Sequence, residues 1–213
     1  MTATERRAVR LARLRGLYAV TPDSVDTPGL LARCAAALEG GAAAIQYRHK
    51  TADATLAEEQ ARAIVALCRE RGALAIVNDD AALAARVDAD GVHVGELDGG
   101  VASARARVGP SRLVGASCYD SIALAAQAVD AGADYIAFGS FYPSPTKPHA
   151  RRASVDLVPR ARALGVPVVA IGGIDATNAG ACIGAGAAGV AVIRAAPDAR
   201  ALREAIDGAF AAR

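Results

Sequence analysis

Runs of β-branched and other apolar residues recur at 16–21, 42–48, 73–79, 91–95, 112–118, 135–140, 167–173 and 189–193, each followed by an Ala- and Leu-rich stretch of helical character. Several runs are apolar almost without interruption, PVVAIGG at 167–173 being one, where a strand with one wet face would alternate. They predict parallel strands covered on both faces. The stretches between them carry helix-start signals: Thr27-Pro28 ahead of LLARCAAAL, Asp120 ahead of SIALAAQAV, and Asp175 ahead of ATNAGACI. Gly40, Gly72, Gly132, Gly165 and Gly186 stand just before the next strand, where a left-handed residue ends a helix.

Eight alternating β and α units in 213 residues fit an α/β chain closed into a (β/α)8 TIM barrel, a single domain over 1–213; open doubly wound sheets more often stop at five or six strands. A loose Gly-Ala-Asp pattern shared by VDADGVHV, DAGADYIAF and GAGAAGVAV marks repeated helix-to-strand joints. Ahead of the first strand, Arg6, Arg7, Arg10, Arg13 and Arg15 stand partly at helical spacing among Val9, Leu11 and Leu14. This predicts a short extra N-terminal helix whose arginines face water.

Composition narrows the function. With 24 basic and 22 acidic side chains the net charge is +2, so no broad basic face exists for nucleic acid, whereas small anionic ligands fit. No apolar stretch approaches the roughly 18 residues of a membrane span, and Glu5 interrupts the arginine run that a targeting peptide would keep. A cytoplasmic protein is expected; whether it is a homo-oligomer is left open. Cys34, Cys68, Cys118 and Cys182 form no Cys-x-x-Cys pair and read as reduced thiols, Cys118 alone lying near the expected site. Aromatic residues are 4% and Trp is absent, so the core is expected to rest on Ala, Val, Leu and Ile.

Barrels of this kind collect their chemistry at the C-terminal ends of the strands. Gln46, Arg48 and Lys50 close strand two; Asn78 and Asp79 close strand three; His93 ends strand four, with Asp98 beyond it. Ser117 ends strand five, Thr146 and Lys147 follow strand six, Gly172 and Gly173 close strand seven, and Ile193 and Arg194 close strand eight. Gln46-x-Arg48-x-Lys50 has period two and points three polar heads into the barrel, while His49 faces outward. Asp80 reads as a helix cap. Arg48, Lys50 and Lys147 beside Asp79 and Asp98 mix both signs of charge, which a diphosphate bridged by Mg²⁺ satisfies. The Gly172-Gly173 pair, with Asp175 opening a helix, offers backbone N–H groups to a phosphate, although such glycines also serve tight turns.

LYAVTPD, QYRHK, VNDD, GVHVGELD, GASCYD, GADYIAFGSFYPSPTKP and VPVVAIGGI, in this order over nearly the whole chain, resemble the thiamine phosphate synthase family. The resemblance implies a transferase that condenses a hydroxymethylpyrimidine diphosphate with a thiazole phosphate in thiamine biosynthesis. It implies that Arg48, Lys50, Asn78 and Lys147 bind the diphosphate, that Asp79 and Asp98 hold Mg²⁺, and that Gln46, His93 and Ser117 line the pyrimidine pocket or the leaving group. Ser144, Thr146, Gly173, Ile193 and Arg194 would hold the thiazole phosphate. By the same resemblance Arg48, Lys50, Lys147 and Ser117 would carry the catalytic roles. The chain departs from the family's usual residues at Ser144 (Thr), Glu96 (Gln) and Arg194 (Ser), so the thiazole-phosphate contacts are where it matches the family's pattern least. Two alternatives compete: a thiazole tautomerase, whose histidine position holds Tyr119 here, and a non-catalytic binder of thiamine precursors. The proline-rich connection at 141–152 is expected to be the most mobile.

Overall fold

Burial on both faces defines the strands. β1 (Gly16–Val20), β2 (Ala44–Tyr47), β3 (Leu74–Asn78), β4 (Gly91–Val94), β5 (Leu113–Tyr119), β6 (Tyr135–Phe138), β7 (Val168–Ile171) and β8 (Gly189–Val192) match the eight apolar runs within a residue or two at each end. They are parallel, pair in chain order and close through β1 against β8. This computed structural model describes residues 1–95, 98–143, 152–194 and 196–213. The helices are α1 (Ala3–Arg13), α2 (Thr27–Glu39), α3 (Ala54–Glu70), α4 (Ala81–Arg86), α5 (Gly100–Val108), α6 (Ile122–Asp130), α7 (Leu157–Arg162), α8 (Ala179–Gly184) and α9 (Ala199–Ala211).

Alternation along each strand divides the core in two. Outward residues such as Leu17, Ile45, Val92 and Ile136 pack beneath the helices, and inward ones such as Val20, Leu74, Ile76, Leu113 and Val169 fill the barrel. The filling is not aliphatic throughout, as composition had suggested: Tyr18 and Tyr135 stand in the inner cluster, 3% and 0% exposed. Gly115 makes room for Tyr135. A β-carbon there would overlap the Tyr135 ring.

Helix starts follow side-chain chemistry more closely than the sequence reading did. Asp26 caps α2 and Asp80 caps α4, but the α6 cap is Ser121, not Asp120. Asp175 opens no helix: its carboxylate accepts from the Thr177 N–H at 2.9 Å and the Thr177 hydroxyl at 2.6 Å, and α8 begins only at Ala179. At the α2–β2 joint the left-handed residue is Gly41 (φ 91°); Gly40 is ordinary backbone pressed against Ala199.

The arginines of α1 do more than face water. Arg10 pairs with Asp90 at 2.7 Å and donates to the Ser111 carbonyl at 2.8 Å; Arg7 lies 3.5 Å from Asp134; Arg13 donates to the Gly72 carbonyl. Asp90 and Asp134 are the acidic members of the Gly-Ala-Asp joints and also accept strand N–H groups, from Ala75 at 3.0 Å and Val114 at 2.7 Å. Leu14, with Leu11 behind it, packs against the inner cluster, so α1 plugs the N-terminal mouth and leaves the C-terminal mouth for ligands.

Candidate active site

The C-terminal mouth begins with the β1–α2 loop, which sequence reasoning had passed over. Thr21, 4% exposed, exchanges hydrogen bonds with the Arg48 backbone, at 2.8 Å from the N–H and 3.0 Å to the carbonyl. Asp23 accepts from the Arg48 guanidinium at 3.2 Å and from the Lys50 N–H at 3.1 Å. Together they fold the segment after β2 back across the mouth. That segment corrects the period-two expectation: β2 ends at Tyr47, so only Gln46 is buried inside the barrel, while Arg48 and Lys50 sit past the strand. Burial of unpaired cations costs several kcal/mol, and ending the strand early avoids it. His49 is not outward-facing either; its Nε2 lies 3.1 Å from the Ser24 carbonyl.

Lys50 reaches Asp79, its ion-pair partner. Asp79 takes a left-handed backbone (φ 65°), a conformation Asp and Asn tolerate better than most residues, and its N–H donates to the His93 carbonyl at 2.8 Å. Asp98 completes the group. Its carboxylate accepts from the Gly95 N–H at 2.8 Å and is held above the usual carboxylate range, first by desolvation and then by the Asp79 carboxyl within hydrogen-bonding reach, with Lys50 pulling the other way. Two adjoining oxygen ligands with a residual negative charge suit a hard divalent cation, which takes its other ligands from water or phosphate. Among the described residues no cluster of three or more His, Cys, Asp or Glu side chains forms a fuller cage.

Below this charged ring lies a polar layer. The Gln46 amide donates to Tyr18 Oη (2.9 Å), the Tyr18 and Tyr135 hydroxyls are 3.1 Å apart, Tyr135 Oη is 3.2 Å from His93 Nδ1, and His93 Nε2 is 2.9 Å from Ser117 Oγ. Burial pushes the His93 imidazole down to about 4, so the ring is neutral at pH 7. Ser117 sits at a bulge in β5 that shifts the register between Ser117 and Tyr119, a device that re-aims side chains at barrel rims. Cys118 points away, fully buried, its thiol pushed up to about 12 by desolvation and therefore inert.

These positions stand in one protein family's order. A model of the thiamine monophosphate synthase family matches residues 17–196. The chain belongs to that family. It is 54% identical over 185 residues to the thiamine-phosphate synthase of Methylobacillus flagellatus, covering 87% of this chain and 88% of the relative. It is 53% identical over 204 residues to that of Chromobacterium violaceum, covering 94% and 99%. The solved structure of thiamine phosphate pyrophosphorylase from Pyrococcus furiosus superposes with a TM-score of 0.83 at 32% identity, covering 94% of this chain and 99% of that one.

Of the residues the family resemblance singles out, Gln46, Arg48, Lys50, Asn78, Asp79, His93, Asp98 and Ser117 gather at the mouths of β2 to β5. Gly173, Ile193 and Arg194 stand at the ends of β7 and β8. Ser144, Thr146 and Lys147 lie outside the described residues, as does most of the 141–152 connection. Gly173 has a structural reason to be glycine: φ is 66°, and a β-carbon would strike the Tyr142 and Pro143 carbonyls. Sequence reasoning missed Thr21, Asp23, Tyr18 and Tyr135. The alternation of GLYAV, which turns Tyr18 and Val20 inward together, was the available signal for one of them.

Proposed function

We propose that this barrel is a thiamine phosphate synthase of the cytoplasm, a Mg²⁺-dependent transferase that joins a hydroxymethylpyrimidine diphosphate to a thiazole phosphate. The observation that carries the reading is the meeting of Lys50, Asp79 and Asp98, with Arg48 alongside, at the mouth of a chain that belongs to this family. Asp79 and Asp98 would hold the cation, which when bound offsets the charge on the diphosphate. Arg48, Lys50, Asn78 and Lys147 would bind the diphosphate oxygens, and Gln46, His93 and Ser117 the pyrimidine or the leaving group. Ser144, Thr146, Gly173, Ile193 and the exposed Arg194 would hold the thiazole phosphate.

In the reaction the bond between the pyrimidine methylene carbon and the diphosphate oxygen breaks, its electron pair leaving with diphosphate. The lone pair of the thiazole nitrogen then forms the new C–N bond. No protein nucleophile is required, in keeping with the inert Cys118 thiol, which is buried beneath the helices and points away from the mouth. The residues contribute by stabilising charge as it develops on the leaving diphosphate and by aligning the acceptor. Arg48 and Lys50 begin paired to Asp23 and Asp79; those partners orient them without burying them, so both can turn to an incoming anion.

The test is to mix the purified protein with the pyrimidine diphosphate, the thiazole phosphate and Mg²⁺, and to measure thiamine phosphate together with released diphosphate. Stoichiometric formation of both is expected, with loss after chelation and recovery on adding Mg²⁺ back. Binding of both substrates without product would overturn the assignment, and full activity in chelator would remove the metal from it.

A further inference from the structure

The buried hydrogen-bond chain has a direction. Gln46 presents its Nε2 to Tyr18, and an amide nitrogen can only donate, so the Tyr18 hydroxyl accepts there and spends its own proton on Tyr135. Tyr135 in turn points its proton at His93 Nδ1, 3.2 Å away. A neutral imidazole that accepts at Nδ1 carries its proton at Nε2, and that proton goes to Ser117 Oγ at 2.9 Å. Ser117 is left with one hydroxyl proton and no obligation inside the barrel.

Each link is fixed by packing. Tyr18 and Tyr135 are 3% and 0% exposed and His93 is 7% exposed. Gly115 leaves the space that the Tyr135 ring occupies, and among the described residues no buried side-chain polar atom lacks a partner. Reversed, the chain would run from Ser117 through His93 to a Gln46 oxygen, and Ser117 would offer only lone pairs to a ligand rich in anionic oxygen.

We propose that Tyr18 and Tyr135 are positioning residues that act through His93, fixing its Nε2–H tautomer so that the Ser117 hydroxyl is presented to the mouth as a hydrogen-bond donor. What Ser117 donates to rests on the synthase reading, and the diphosphate leaving group is the acceptor that reading supplies. Neither tyrosine touches substrate. Their contribution is to decide which way one proton points.

Long-range ¹H–¹⁵N spectra of the histidine rings test this without turnover, with His93 assigned from its loss in His93→Gln. The wild type is expected to show a neutral Nε2–H ring, and Tyr135→Phe, which deprives Nδ1 of its donor, a shift toward Nδ1–H. In the synthase assay Tyr135→Phe should lower kcat about tenfold with KM within about twofold, a fraction of the roughly 10²-fold or greater loss when a donor to a developing anion is removed outright. Tyr18→Phe, which leaves the Tyr135–His93 contact in place, should fall between the two. An Nδ1–H ring in the wild type overturns the proposal even if every variant misfolds, and so does a Tyr135→Phe protein whose tautomer and kcat both match the wild type. A wild type with the Nε2–H ring and no synthase activity would overturn the function and leave the direction of the network standing.

Discussion

A neutral imidazole at the centre of the barrel should make the protein measurably less stable in mild acid, and the size of the effect follows from His93. In the unfolded chain this ring takes up its proton near 6.5; in the fold, burial lowers that to about 4. Between those values the unfolded state binds more protons than the native one, so stability is full above pH 6.5 and is lost as pH falls toward 4. At about 1.4 kcal/mol per pH unit the whole contribution is about 3 kcal/mol, of which about 2 kcal/mol should disappear between about pH 7.5 and about pH 5. The raised carboxyl of Asp98 has the opposite sign, because its native form holds a proton that the unfolded form has released. Comparison with His93→Gln cancels that term, since the variant keeps Asp98 and loses only the imidazole. Urea unfolding followed by circular dichroism should show wild-type stability falling by about 2 kcal/mol more than the variant's over the same range. Parallel pH profiles for the two proteins would refute the neutral, desolvated histidine.

Lys50→Ala and Arg48→Ala should each reduce kcat/KM about 10²-fold or more, the scale for removing a charged donor from a developing anion, read in the diphosphate-release assay. Gly115→Ala drives a methyl into the Tyr135 ring and should cost about 1–3 kcal/mol, whereas Gly208→Ala, in α9 with nothing within 4 Å of the new carbon, should gain about 0.5–1 kcal/mol; paired urea titrations check both. Asp134→Ala leaves Arg105 without its carboxylate and the Val114 N–H without its acceptor, and should cost about 3 kcal/mol. Arg7→Ala, which breaks a longer pair at 3.5 Å to the same carboxylate with Arg7 36% exposed, should cost under about 1 kcal/mol in the same titrations.

The barrel was legible because its signal is repeated eight times and each repeat is simple. A strand buried on both faces must be apolar throughout, and a helix must stop before the next strand begins. The ring of polar strand ends was legible for the same reason, since Asn78, His93 and Ser117 interrupt apolar runs where nothing but a ligand or a buried partner accounts for them. Individual pairings were less visible. That Arg10 meets Asp90 across 80 residues depends on where a closed ring places two joints relative to α1, and local pattern carries no such distance. The same holds for Asp23, whose role arises only when the β1–α2 loop is laid against the segment after β2.

The failure of the period-two reading at Gln46-x-Arg48-x-Lys50 shows how the site divides its labour. Alternation alone would put three polar heads inside the barrel, but an amide can be satisfied there and two cations cannot, so β2 stops after Tyr47. Gln46 goes down and anchors one end of the neutral network; Arg48 and Lys50 stay up, steered by Asp23 and Asp79. The result is two stacked layers with different electrostatic character, a charged ring and a neutral layer beneath it tied together by its own hydrogen bonds. Ser117 belongs to both, accepting from His93 below and facing the mouth above. A single residue spanning the layers lets the packed, uncharged interior set the orientation of a group in the charged mouth. For that reason substitutions deep in the barrel at Tyr135 are expected to register in kcat and not only in stability.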